Sequence, residues 1–262
     1  MTDDPPPSDA EPDAPACETA PPPSPPPEPE RYPFWSYGDV FLFFGLAVPA
    51  LLLGWAMVKG AALAFHIHFT ARAVEPLAQQ FAGYLFLFGA LLLIFRVQYR
   101  KPFWRSLGWT ELRMPLLWVV ICGLGTALGV ALVGTALGAP NTPNAVTDLM
   151  ADRTSLLSLT LFGVTLGPVC EELAFRGFLQ PVLVRSLGAA PGIVLAAIPF
   201  GLLHYQEYGD SWRHAAIVAT AGAAFGCMKH FTGSTKAAVI MHASYNALFF
   251  SAVLAQRNDV LH

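Results

Sequence analysis

The chain has 262 residues, of which 54% are hydrophobic and only 13% are charged. A soluble globular domain carries roughly 25% charged residues, so this composition excludes an ordinary soluble protein and indicates a polytopic membrane protein of the all-α class. The formal net charge of -3 averages two unlike parts, because eight of the 18 acidic residues and none of the 15 Lys and Arg residues fall within the first thirty.

Residues 1–33 are predicted to be a disordered, acidic, Pro-rich tail, because such a segment cannot bury enough apolar surface to fold. No basic stretch followed by an apolar run occurs there, which argues against a signal peptide. Residues 34–262 are predicted to form one transmembrane domain, with its motif-bearing core at about 156–255. The acidic residues of the tail are Asp3, Asp4, Asp9, Glu11, Asp13, Glu18, Glu28 and Glu30.

After the tail, apolar stretches alternate with short polar joints. About 20 apolar residues cross a bilayer, and this length predicts about seven transmembrane helices, within a range of six to eight. The stretch 99–113 mixes bases with aromatic residues and is predicted to lie on a membrane surface. The predicted spans are 38–58, 78–97, 115–138, 156–175, 189–206, 214–230 and 236–255.

The distribution of Lys and Arg among the joints predicts the orientation. With seven spans, nine bases fall on the side of the tail and five on the opposite side. The excess predicts a cytoplasmic N-terminus in the cell membrane. The tail side holds Arg31, Arg96, Arg100, Lys101, Arg105, Arg113, Arg185, Lys229 and Lys236, and the opposite side holds Lys59, Arg72, Arg153, Arg213 and Arg257.

Three short polar motifs interrupt apolar segments in the second half of the chain. Ionisable residues within a membrane helix cost several kcal/mol and indicate a functional site. Three such motifs in one chain therefore predict one shared polar cavity, about a third of the way into the bilayer. The motifs are Glu171-Glu172-Leu-Ala-Phe-Arg176, Phe200-Gly-Leu-Leu-His204 and His242-Ala-Ser-Tyr-Asn246.

The first motif separates its two carboxylates by function. On a helix, Glu172 and Arg176 share a face because they are four residues apart, so Arg176 is predicted to neutralise Glu172. Glu171 points about 100° away and is left as a candidate general base. Phe200 is likewise predicted to lie beneath His204, one turn away.

The two histidines allow two readings of the chemistry. In one, Glu171 and His204 hold and deprotonate a water, while His242 and Asn246 donate hydrogen bonds to an oxyanion, so that the site hydrolyses a peptide bond. In the other, Glu171, His204 and His242 bind a divalent metal such as zinc, which activates the water. The sequence leaves both readings open.

The predicted spans place His204 near the far end of the fifth span, whereas Glu171 and His242 fall nearer the tail side. A shared site then requires the fifth helix to be short, deeply seated or re-entrant.

In this order, the motifs E-E-x-x-x-R, F-x-x-x-H and H-x-x-x-N resemble those of the CPBP family of intramembrane peptidases. This family includes the type II CAAX prenyl endopeptidases and the bacteriocin-processing and immunity proteins. The resemblance covers roughly residues 100–255 and is strongest over 165–250, where the segment GSTKAAVIMHASYN is similar to the third block of the family.

The resemblance implies that Glu171 and His204 activate water, that His242 and Asn246 support the oxyanion or that His242 joins a metal site, and that Glu172, Arg176 and Phe200 support them. It also implies an endopeptidase acting on a hydrophobic, prenylated or membrane-anchored peptide, within membrane lipid and without nucleic acid.

Two other functional classes fit the same motifs. A non-catalytic immunity or binding protein would use the cavity to hold a peptide or lipid. A small transporter would use the carboxylates as a proton relay, although the chain shows no inverted repeat of discontinuous helices.

Overall fold

The computed structural model describes residue 2 and residues 31–139 and 145–256. Almost all of the predicted disordered tail lies outside these residues, as does Arg257. The described residues form helices and connecting loops without a strand, which confirms the all-α class. The helices are α1 (Tyr37–Gly45), α2 (Ala47–Ala64), α3 (Val74–Leu93, continued by a π-helical turn, Ile94–Gln98), α4 (Phe103–Ser106), α5 (Leu116–Ala136), α6 (Ala145–Leu149), α7 (Arg153–Val164), α8 (Leu166–Glu172), a π-helical segment (Leu173–Leu179), α9 (Gln180–Leu187), α10 (Ala189–Leu203), α11 (Trp212–Thr232) and α12 (Thr235–Gln256).

Within these described ranges, five helical stretches are long and apolar enough to cross a membrane. By length and composition they are candidate membrane spans. They are Tyr37–Ala64, Val74–Gln98, Leu116–Ala136, Arg153–Leu187 and Thr235–Gln256.

Each of the seven predicted spans coincides with a helix, but two of them are not among these five. α10 is a shorter apolar helix of 15 residues. α11 has 21 residues, but Ala and Gly make up much of its middle and Arg213, His214, Lys229 and His230 lie near its ends. These residues keep the mean hydropathy of α11 low, and the prediction of about seven spans did not take this into account.

Helices α5, α11 and α12 pack on one another, and α10 packs along α11. α2 and α3 form an antiparallel pair, and α7 packs against α12. The outer surface of α5 carries exposed leucines at Leu117, Leu128 and Leu132, as a face directed at lipid does. The polar motifs therefore lie on the inner helices of the bundle.

Two irregularities interrupt the long stretch that carries the first motif. α7 ends at Val164, because the backbone angles of the next residue, Thr165 (φ −127°, ψ −87°), are not helical. The chain then re-enters a helix through α8, with Pro168 in its first turn, where a missing N–H costs nothing. Immediately after Glu172 the helix widens into the π-helical segment. Such π-helical insertions are frequent at functional sites.

The turn between α11 and α12 is fastened to the segment after α4. Thr235 donates its backbone N–H to the Gly108 carbonyl (2.8 Å) and its hydroxyl to the Leu107 carbonyl (2.6 Å). Ser234 donates its hydroxyl to the Thr110 carbonyl (3.1 Å). These bonds fix the start of α12, and with it the register of His242.

Candidate active site

A cavity of about 250 Å³ lies between the inner helices. It receives Glu171 from the end of α8, His204 from the end of α10, and His242 and Asn246 from α12. Three segments that are far apart in sequence thus direct their polar side chains into one space.

Glu172 and Arg176 form a buried ion pair beneath this cavity. Their side chains expose 0% and 1% of their surfaces, and Arg176 Nη1 donates to Glu172 Oε1 at 2.9 Å. Arg176 Nη2 donates to the Gly222 carbonyl (2.7 Å), and the guanidinium carbon lies 4.3 Å from the centre of the Phe200 ring. The arginine therefore joins α11 and α10 to the helix that carries the motif.

His242 lies between the two glutamates. Its Nδ1 donates to Glu172 Oε1 (2.9 Å), and its Nε2 lies 3.8 Å from Glu171 Oε2. The Phe225 ring stacks on the imidazole, with centroids 4.5 Å apart and planes 18° apart. A hydrogen bond at one ring nitrogen determines which nitrogen is left for chemistry, so Glu172 leaves Nε2 of His242 facing Glu171.

Glu171 differs from Glu172 in its surroundings. Its side chain is 23% exposed and faces the cavity, and no cation neutralises it at hydrogen-bonding distance among the described residues. The two adjacent carboxylates are thus divided between a buried structural group and a group open to the cavity.

His204 lies directly after α10 as its C-cap. Its Nδ1 is 2.8 Å from the Phe200 carbonyl oxygen one turn earlier, and its Nε2 is 4.0 Å from Glu207 Oε2. α10 is short, which is one of the three arrangements that a shared site required. Its early end brings His204 to the same cavity as Glu171 and His242.

Asn246 lines the cavity and also ties two helices together. Its Nδ2 donates to the Gly163 carbonyl near the end of α7, at 2.7 Å. One of its two amide hydrogens is used in this bond, so one remains for a bound group.

The metal reading requires three converging ligands. Among residues 31–139 and 145–256, no group of three His, Cys, Asp or Glu side chains is arranged to hold a metal ion. Nδ1 of His242 bonds to Glu172 and Nδ1 of His204 lies beside the Phe200 carbonyl, which leaves Nε2 of each ring as the atom that a metal would contact. In the described structure these atoms and Glu171 do not converge as a set of three ligands.

The sequence motifs did not point to several residues that shape the cavity. Glu207 and Tyr208 come from the loop after α10, and Phe225 and Tyr245 lie on α11 and α12. Burial raises the pKa of the Tyr208 hydroxyl, which keeps it protonated as a hydrogen-bond donor. Of these four residues, only Glu207 could have been predicted from the sequence, because it lies three residues after His204.

Residues 153–248 match the family model described as Rce1-like, type II CAAX prenyl endopeptidase. Together with the five candidate membrane spans, this match identifies an integral membrane protein. The match confirms the family resemblance: these residues form a domain of that family, and membership implies an intramembrane peptidase that acts on peptide or protein substrates in the membrane. No curated protein and no solved structure matches the chain.

Proposed function

We propose that the chain is an intramembrane endopeptidase that hydrolyses a peptide bond in a membrane-associated or lipidated substrate. The observation that carries the proposal is the shared cavity, into which α8, α10 and α12 direct Glu171, His204, His242 and Asn246. His204, His242 and Asn246 each use one polar atom in a bond to the protein and leave another for a group in the cavity.

The water to be activated lies between Glu171 and His242. The distance of 3.8 Å between Glu171 Oε2 and His242 Nε2 is too long for a direct hydrogen bond, and both atoms face the cavity. A water that contacts both is held by two acceptors and is therefore ready to lose a proton. The sequence paired Glu171 with His204, whereas the distances favour His242 as its neighbour.

The reaction then follows from the positions of these groups. The water oxygen attacks the carbonyl carbon of the scissile bond, and Glu171 takes the proton that the water releases. The tetrahedral oxyanion collapses, the C–N bond breaks, and Glu171 returns the proton to the leaving amine. Preorganised donors around the oxyanion typically contribute the largest share of such a rate enhancement.

Two donors are available for that oxyanion. When protonated, His204 donates Nδ1–H to the Phe200 carbonyl and presents Nε2–H to the cavity. Asn246 presents the amide hydrogen that the Gly163 carbonyl does not use. Glu172, Arg176 and Phe225 hold His242 in place and are positioning residues.

The apolar part of the cavity supports a hydrophobic substrate. Leu77, Leu159, Phe162, Phe249 and Phe250 line it beside the polar groups. These side chains favour a peptide with apolar residues or a lipid near the scissile bond, and they do not distinguish a prenyl group from another chain.

The test is cleavage of quenched-fluorescent peptides, prenylated and plain, by the full-length protein in lipid. We expect Glu171→Gln to lower kcat at least about 10²-fold, the lower bound for loss of a general base. Glu111→Gln is the matched control, because Glu111 is exposed and outside the cavity, and its rate should equal that of the wild type.

Equal cleavage by the wild type and Glu171→Gln would contradict the assignment of Glu171. If neither protein cleaved any peptide but both bound one in the cavity, the non-catalytic binding or immunity protein would replace the peptidase as the better account.

A further inference from the structure

A second cavity, of about 480 Å³, lies at the end of the bundle where the chain enters after residue 31. It is lined by the segment Tyr32–Pro33, by α4 and the residues after it, by α9 and by the end of α11. It shares no lining residue with the cavity of Glu171, so it belongs to a different site.

The charged groups in its wall all carry positive charge. Arg105, Arg176, Arg185 and Lys229 line the cavity, and no Asp or Glu does so among the residues that the structure describes. Arg176 is neutralised by Glu172 from the other side. The remaining three cations have no carboxylate within ion-pair distance in the described part of the chain.

Lys229 is held at this wall by the backbone. It is 8% exposed, and its Nζ donates to the Gly233 carbonyl at 2.9 Å. An ammonium has three donors, so two of them remain for another partner. Gly108, at φ +74°, leaves the room for this ammonium, because a Cβ at that position would overlap Nζ.

Gln180 also lines this wall. It is 3% exposed, and its Nε2 donates to the Gly226 carbonyl at 2.9 Å. That bond fixes the orientation of the amide, and Oε1 is covered by protein beside Gly226. Gln180 therefore joins α9 to α11 behind the cations and does not itself contact a ligand.

We propose that this cavity binds a phosphate-bearing anion, either free in solution or as the headgroup of a phospholipid. Arg105, Arg185 and Lys229 contact the phosphate oxygens, the partner for which guanidinium and ammonium donors are well suited. Arg185 uses Nη1 on the Pro33 carbonyl, and a guanidinium has four further N–H groups for the phosphate.

The position of the cavity fits a lipid headgroup. Three of its lining residues, Arg105, Gly108 and Thr110, belong to the stretch 99–113 that the sequence predicts to lie on a membrane surface. Basic pockets between membrane helices at the level of the headgroups bind anionic lipids. The acyl chains would lie along the apolar surface of the bundle.

The test is native mass spectrometry of the full-length protein in a neutral detergent with added lipid. The probes are phosphatidylglycerol, whose headgroup is anionic, and phosphatidylcholine with the same acyl chains, whose headgroup has no net charge. We expect the wild type to retain phosphatidylglycerol and Arg105→Gln to bind it about tenfold more weakly, as loss of one charged hydrogen-bond donor predicts.

Arg113→Gln is the matched control, since Arg113 is exposed on the same predicted face but does not line the cavity. Lys229→Gln should weaken binding as Arg105→Gln does. If that buried variant fails to fold, the exposed Arg105 decides the question alone. Equal retention of both lipids, or equal binding by the wild type and Arg105→Gln, would overturn the proposal.

Glycerol 3-phosphate, added at millimolar concentration, separates the two sources of the anion. Displacement of the lipid from the wild type supports a soluble phosphate ester as the ligand. Retention of the lipid in its presence supports the headgroup. If phosphatidylglycerol bound only after removal of residues 1–30, the acidic tail would be the resident ligand and the proposal would fall.

Discussion

The guanidinium of Arg176 is held by Glu172, by the carbonyl oxygen of Gly222 and by the face of the Phe200 ring. Because both members of the ion pair are buried, its main effect is expected to be on conformation. Breaking a buried pair leaves an uncompensated charge, which is far more costly than an ion pair lost at the surface.

Arg176→Gln is therefore expected to lower the free energy of unfolding by about 3–5 kcal/mol. The measurement is denaturation of the detergent-solubilised protein, with Arg113→Gln as the control, whose effect should stay within about 0.5 kcal/mol as for other surface sites. An Arg176→Gln protein as stable as the control would mean that the pair does not hold the helices together.

The double variant Glu172→Leu with Arg176→Met separates stability from positioning. It removes both charges, so much of the lost stability should return. Its activity should remain low, since His242 would lose the carboxylate that accepts from Nδ1.

At the scale of helices, one glycine permits the contact between α5 and α12. A Cβ on Gly123 would overlap the Met241 carbonyl and lie 2.8 Å from the Ser244 Cβ, one residue and two residues from His242. Three other glycines of α5 differ from Gly123, because Gly125 and Gly129 have open space around them and Gly134 meets only the tip of Ile217.

Gly123→Ala and Gly129→Ala form a matched pair on the same helix. Gly123→Ala should destabilise the protein by about 1–3 kcal/mol, because the extra methyl forces α5 away from α12. Gly129→Ala should be neutral or stabilise by up to about 1 kcal/mol, since Ala favours a helix over Gly. Thermal unfolding of both variants measures the difference, and equal melting temperatures would contradict the close approach.

The start of α7 is capped by Asp152, which joins the loop before α3 to this helix. Asp152 accepts from the Ser155 backbone N–H (2.8 Å) and hydroxyl (2.6 Å), and the Ser155 hydroxyl also accepts from the Ala73 N–H (2.9 Å). These bonds lower the pKa of Asp152.

A carboxylate with a lowered pKa stabilises the fold above its ordinary pKa, and this contribution disappears as the pH falls through the folded-state value. The difference in Tm between the wild type and Asp152→Ala should therefore be constant from neutral pH to about 5 and shrink below about 4. Asp148→Ala, an exposed acid nearby, is the control. A difference in Tm that persisted undiminished at the lowest pH would argue against a charged cap.

The sequence alone predicts the all-α class and the three motifs, because long apolar stretches and the charged residues that interrupt them can be read from it directly. The partition of Glu171 and Glu172 followed from the helical repeat alone. The neighbours of His242 could not be predicted, because Phe225 stacks on it from a helix without a motif and the π-helical segment turns the chain just after Glu172. The early end of α10 and the bond from Gln180 to the Gly226 carbonyl likewise depend on packing between helices.

At the scale of the whole molecule, the arrangement of the spans predicts which loops share a side of the membrane. α3 and its π-helical continuation separate the loop at Thr70 from the segment at Glu111. The excess of bases beside Glu111 predicts that this segment is cytoplasmic.

The prediction is tested with single cysteines at Thr70→Cys and Glu111→Cys, after replacement of the four native cysteines by Ala. In intact cells a membrane-impermeant maleimide should label the first and not the second. Lysed cells provide the control in which both react. Labelling of Glu111→Cys in intact cells would reverse the orientation.

The length of α10 has a consequence for the bilayer itself. Its 15 residues span about 22 Å at 1.5 Å per residue, whereas the hydrocarbon core is about 30 Å thick. Next to a helix that is too short, the bilayer becomes thinner or admits water, which hydrates the polar backbone at the end of the helix. We expect a local dent in the membrane next to His204, through which hydrolytic water reaches a bond that lies below the headgroups of the surrounding bilayer.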